Sequence, residues 1–364
     1  MQHTARKMCV ITVASAIGWL TPACLDEPED GSTTHEVALV SSHGIDVTGS
    51  RWVSGRTLEA DVSSAFVSPG AVNGPHRIRV TLPAGYEQSP ATRYPVIYLL
   101  HGGAGGNSAQ WTTGGGAVEP ITAGKNVIVV MPDGGKVGWF TNWVNQTRGA
   151  QRWADFYLQQ VIPWVDVNFR TVAARSGRAI AGLSMGGYGA VRLAQDRPDL
   201  FASVASFSGA VDLGDLGTRT VITEQAIQHL LPAFGPFGSP FWPADTVWKE
   251  KDPMRRPTAL AGMQVLLYAG AGIHDADILE RTMGASADRF ARRLAANGVP
   301  HFFWMYGRPG PSAPFGCDGG HNFGCWNFAF NDALPRMMSV LAVPSVPPPP
   351  PGVDVVVNGG FEDR

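Results

Sequence analysis

The sequence predicts a doubly wound α/β fold, a mostly parallel sheet with helices on both faces. Three observations carry this expectation. Residues 94–100, 126–131, 178–182, 202–207 and 264–269 form five short, continuous apolar runs. Strands of that kind have no wet face, as in a parallel sheet covered on both sides. Between them, residues 153–169, 186–195 and 285–297 fit crossover helices. The last of these places Phe290, Ala291 and Leu294 at helical spacing and stops at Gly298. The runs also end in turn-forming residues such as Gly102-Gly103 and Gly134-Gly135. In doubly wound sheets, ligands sit at those carboxyl ends.

The remaining segments fit around this frame. Residues 36–82 alternate in short runs such as His76-Arg-Ile-Arg-Val-Thr81, a strand pattern. Residues 210–261 break the alternation and are rich in Pro, Phe and Trp, which predicts an excursion that shapes a groove. The chain of 364 residues is long enough for one large catalytic domain, expected over 37–343, with appendages. A hydrophobic content of 44% provides for a sizeable core. The net charge of -2 gives no concentrated basic surface for nucleic acid.

The termini read as processing and linking segments. Arg6 and Lys7 precede an apolar run over 8–20, too short to span a bilayer, so residues 1–24 read as a signal peptide. Residues 25–36 then form a polar tether. Cys24 is either a lipid acceptor after signal cleavage, giving a membrane tether, or an unpaired thiol. Cys317 and Cys325 flank His321, and in an oxidising compartment they are expected to pair. Residues 344–352 are a proline-rich linker, stiff and extended. Residues 353–364 resemble the opening strand of β-sandwich carbohydrate-binding modules, as if a further module began there.

The chemistry centres on Gly182-Leu-Ser184-Met-Gly186, placed between an apolar run and a helix. Small residues two before and two after a serine permit a strained turn that lifts Oγ above the sheet. The helix behind it directs free N–H groups toward a developing oxyanion. A serine hydroxyl needs a base to take its proton, and the expected chain order is serine, acid, histidine. Of the downstream histidines, His321 lies in a glycine-flanked loop before a helical stretch, whereas His301 begins a strand and His229 lies in the excursion. His321 is therefore the expected base. The loop 270–277 offers Asp275 and Asp277 as the acid, which spacing does not separate, with Glu280 behind them. A second backbone donor is expected from the turn after the first long apolar run. Gly103 and Met185 are thus the expected oxyanion-hole pair. His101, Gly102, Trp111 and Trp143 are the expected substrate contacts; no metal or other cofactor is expected.

Several segments together resemble the esterase D and mycolyltransferase group. They are Gly182-Leu-Ser-Met-Gly-Gly187, Met131-Pro-Asp-Gly-Gly135 with Phe140-Thr-Asn-Trp143, Val247-Trp-Lys-Glu-Lys-Asp-Pro-Met254, and the Gly-His loop. The resemblance runs from about Tyr94 to Met338. It implies an α/β-hydrolase fold and a serine–acid–histidine triad without metal. It also implies acyl-enzyme chemistry on esters outside the cytoplasm, with the oxyanion donors on Gly103 and Met185. Mycolyltransferases carry Asp-Gly-Leu-Arg where this chain has His101-Gly-Gly-Ala104, and glutamate where the 270–277 loop offers aspartates. Those departures favour hydrolysis of small-molecule or polysaccharide-linked esters over trehalose mycolylation. Feruloyl and acetylxylan esterases share the fold group. Acyl transfer to a sugar, and a binding protein without catalysis on the same fold, are the other readings.

Overall fold

The computed structural model describes residues 38–68, 76–310 and 312–345. The expected signal peptide, Cys24, the tether over 25–36 and the tail from 346 lie outside the described residues. So does all but the first two residues of the expected linker.

Among the described residues, nine strands form one sheet in the order β1-β2-β3-β5-β4-β6-β7-β8-β9. Its inner strands are the expected apolar runs: β4 (Val96–Leu100), β5 (Ile128–Pro132), β6 (Arg178–Leu183), β7 (Ser203–Phe207) and β8 (Gln264–Gly270). With β9 (Phe302–Gly307) they pair in parallel. At the opposite edge, β1 (Ile45–Trp52), β2 (Thr57–Ser64) and β3 (His76–Thr81) run as an antiparallel meander, and β3 joins β5 antiparallel. This edge is where the chain alternates polar and apolar residues, yet much of the polar side is covered: Glu59 and Arg79 are buried there as an ion pair.

Each parallel strand feeds both cores. In β4, Val96, Tyr98 and Leu100 pack into one cluster while Ile97 and Leu99 pack into the other. The first cluster is closed by α2 (Trp153–Asp155), a π-helical turn (Phe156–Val161), α3 (Ile162–Asn168), α4 (Met185–Asp196), α5 (Leu216–Gln228) and α7 (Ile278–Ala296). The second is closed by α1 (Val118–Ile121) and α8 (Phe323–Met338). The excursion after β7 carries α5 and α6 (Thr246–Lys251).

Helix α7 starts seven residues earlier than its apolar spacing suggests. Its amino terminus is set by Asp277, whose side chain accepts the Glu280 N–H as an N-cap. Among the described residues, no helix is long and apolar enough to cross a membrane.

Candidate active site

Four turns at the carboxyl ends of parallel strands converge on one point. Ser184 follows β6 and caps α4 with φ 51° and ψ -116°, a left-handed conformation costly for a residue with a side chain. The turn is held by the Ser184 N–H, which donates to the Phe207 carbonyl at 2.8 Å. Its tightness depends on absent side chains. A Cβ on Gly186 would lie 2.5 Å from the His101 carbonyl oxygen, and one on Gly182 would lie 2.3 Å from that of Gly186. The strained serine thus stands at the amino end of a buried helix with its hydroxyl facing the loop after β9.

That loop brings His321. Its Nε2 is 2.9 Å from Ser184 Oγ, and its Nδ1 is 2.6 Å from Glu280 Oε2. The ring stands edge-on to Trp326, centroids 4.9 Å apart. A disulfide joins Cys317 to Cys325 across the loop. The Asp318 carboxylate accepts from the Gly320 N–H and the Asn322 side chain, and Asn322 caps α8 through the Cys325 N–H. The histidine is therefore held from both sides of its loop.

The acid differs from the expectation. Neither Asp275 nor Asp277 reaches the imidazole. Asp277 is engaged as the cap of α7, and Asp275 is exposed in an ion pair with Arg308, which lowers its carboxyl below the usual range. Glu280, one turn into α7, is fully buried. Its Oε1 accepts from Ser208 Oγ at 2.9 Å and from the Gly270 N–H at 2.6 Å, leaving Oε2 for His321. A buried carboxylate is tolerated only when its lone pairs are met in this way. The sequence did hold a signal for it. Asp277-Ile-Leu-Glu280 has the spacing of a helix amino terminus with an acid at the third helical position. Here that acid turns inward instead of back toward the cap.

Gly102 and Gly103 lie beside the serine: a Cβ on Gly102 would be 3.7 Å from Ser184 Cβ. The Gly102 N–H donates to Gln110 Oε1 at 2.9 Å. Met185 is the first residue of α4, so its N–H has no acceptor within the helix.

His101 lies in the wall behind this turn, not on its substrate side. It is 1% exposed, and both ring nitrogens meet backbone. Nε2 accepts the Gly134 N–H at 2.7 Å, so the ring proton sits on Nδ1, which donates to the Gly102 carbonyl at 2.7 Å. That carbonyl and the Gly103 N–H belong to one planar trans peptide and point opposite ways. By holding the oxygen, His101 aims the Gly103 N–H.

The two expected tryptophan contacts are also corrected. Trp111 is fully buried and donates to the Leu100 carbonyl. Trp143 is buried and donates to the Gly138 carbonyl. Large rings whose N–H groups meet backbone belong to the core. Among the described residues, no group of three His, Cys, Asp or Glu side chains could hold a metal ion.

Comparison with known proteins places the family and the fold. The esterase family model, described as "Putative esterase", matches residues 70–337. An esterase of Mycobacterium tuberculosis is 36% identical over 230 residues, which cover 62% of this chain and 50% of that protein. The chain thus spans about half the length of that relative. The diacylglycerol acyltransferase/mycolyltransferase Ag85B of Mycobacterium leprae is 27% identical over 342 residues, covering 82% of this chain and 99% of that one. Among solved structures, a ferulic acid esterase superposes with a TM-score of 0.54 at 22% identity, over 79% of this chain and 99% of that one. At that identity the likeness is one of fold.

Proposed function

The chain belongs to the esterase family, and on that premise we propose that it hydrolyses carboxylic esters through an acyl-enzyme on Ser184. The observation that carries this reading is the unbroken relay from Ser184 Oγ through His321 to buried Glu280.

In the proposed cycle, Ser184 Oγ attacks the ester carbonyl carbon as its proton passes to His321 Nε2. Glu280 balances the imidazolium that forms. The carbonyl oxygen becomes an oxyanion, met by the Gly103 and Met185 N–H groups, each worth about 100- to 1000-fold in rate in comparable sites. Collapse expels the alcohol, which takes the proton from His321. Water then attacks the acyl-enzyme, giving its proton to the same nitrogen, and releases the acid and the free serine. No step draws on a metal.

The proposed setting is outside the cytoplasm, supported by the signal-like start of the chain and the Cys317–Cys325 disulfide. The likeness to an acyltransferase/mycolyltransferase over most of the chain supports a second reading, in which a sugar hydroxyl replaces water. Complete relay geometry argues against a binding protein that has lost catalysis.

The test is turnover of p-nitrophenyl acetate, butyrate and a long-chain ester, with methyl ferulate and an acetylated xylose, by the native protein and Ser184→Ala. Hydrolysis that disappears in the variant is expected, and the preferred ester identifies the acyl group. Equal activity in the variant contradicts the proposal. An acyl-sugar product formed in place of free acid when a sugar is added would favour transfer.

A further inference from the structure

Ser208 repeats, one strand over, the positive φ of the nucleophile turn. Ser184 follows β6 with φ 51°, and Ser208 follows the neighbouring strand β7 with φ 49°. A side chain makes such backbone costly, whereas glycine takes it freely. The chain has glycine at the next position, Gly209, yet carries serine at 208. Strain of this kind, once observed, points to a use for the side chain.

The hydroxyl shows that use. Ser208 is fully buried, and its Oγ donates to Glu280 Oε1 at 2.9 Å. The Gly270 N–H donates to the same oxygen at 2.6 Å, while Oε2 faces His321 Nδ1 at 2.6 Å. The last torsion of a glutamate is broad, so its rotamer does not fix the carboxylate plane. A single donor would leave the carboxylate free to swivel about one bond. Two donors hold it, one from the end of β8 and one from the residue after β7. The peptide before Ser208 is itself anchored on both sides. Its Phe207 carbonyl accepts the Ser184 N–H, and its Ser208 N–H donates to the Tyr268 carbonyl, each at 2.8 Å. Through Ser208 the acid is thus tied to the turn that carries the nucleophile.

We propose that Ser208 is a positioning residue for ester hydrolysis, acting through Glu280. By fixing the carboxylate plane it keeps Oε2 on His321 Nδ1 while the imidazolium forms. The inference rests on the esterase reading above.

Two variants separate the hydroxyl from the backbone. Ser208→Ala removes the hydroxyl and keeps the costly φ, whereas Ser208→Gly removes the hydroxyl and relieves it. Each should lower kcat on p-nitrophenyl butyrate by about 10- to 100-fold, the range for a lost hydrogen bond to a charged group, with KM within about threefold. In a Glu280→Gln background the same change should cost less than about threefold, because the group that Ser208 acts through is gone. Thermal midpoints report the fold, and Ser208→Gly carries the test alone if Ser208→Ala does not fold. Native kcat in Ser208→Gly would show that only the backbone matters and would overturn the proposal. So would losses that multiply in full in the double variant. Turnover that persists in Ser184→Ala would instead overturn the nucleophile assignment, separately from any result at Ser208.

Discussion

At the scale of single residues, the site contains a fully buried carboxylate. Glu280 has both oxygens committed, to Ser208 and Gly270 on one side and to His321 on the other. An amide in its place would offer N–H2 to one of those partners and oppose the required His321 tautomer. Glu280→Gln is therefore expected to lower kcat by about 100- to 10,000-fold with a small change in KM. Asp275→Asn, which alters only a surface pair with Arg308, is expected to stay within about threefold of native. Steady-state kinetics on one chromogenic ester checks both. A deficit in Asp275→Asn as large as that in Glu280→Gln would contradict the assignment. Ser184 and His321 were legible in the sequence because glycine spacing marks their turns. Glu280 was legible only as a third candidate behind Asp275 and Asp277, because Asp277 reads equally well as a loop acid until the helix start is known. The tryptophans misled for a different reason: a ring useful in a groove is equally useful in a core, and only burial separates the two.

At the scale of elements, the loop carrying His321 is short and closed at its base. The disulfide spans eight positions, and a loop of that size is stabilised by about 2–3 kcal/mol in the chain-entropy account. It also fixes where α8 begins relative to the imidazole. The double variant Cys317→Ser, Cys325→Ser should lose stability of about that size. It should also lose about tenfold in kcat with KM little changed, since misplacement of a base by a fraction of an ångström slows proton transfer. Denaturant unfolding and steady-state kinetics report the two effects separately. An unaltered kcat would show that Asp318 and Asn322 suffice to hold the loop. The pairing was legible from two cysteines flanking one histidine. The buried face of α5 was not, because Thr218, Ile222 and Ala226 make no strong apolar stripe in the sequence and are marked out only by what they cover.

At the scale of the whole molecule, the sheet explains why residues as far apart as Ser184 and His321 meet. Parallel strands place all their carboxyl ends on one edge, so β4, β6, β8 and β9 deliver the Gly102-Gly103 turn, Ser184, Glu280 and His321 to the same side of the sheet. The apolar runs made that layer architecture legible. The strand order was not, since a run buried on both faces says nothing about its neighbours; nor was the joining of the antiparallel meander to β5.

The central claim is that Ser184 is a nucleophile made reactive by this assembly. Its most direct test is intact-protein mass spectrometry after exposure to an alkyl fluorophosphonate, followed by peptide mapping. One adduct on the Ser184 peptide, absent from Ser184→Ala and slowed strongly in Glu280→Gln, is the predicted result. No adduct on the folded native protein, or one on any other residue, would contradict the account.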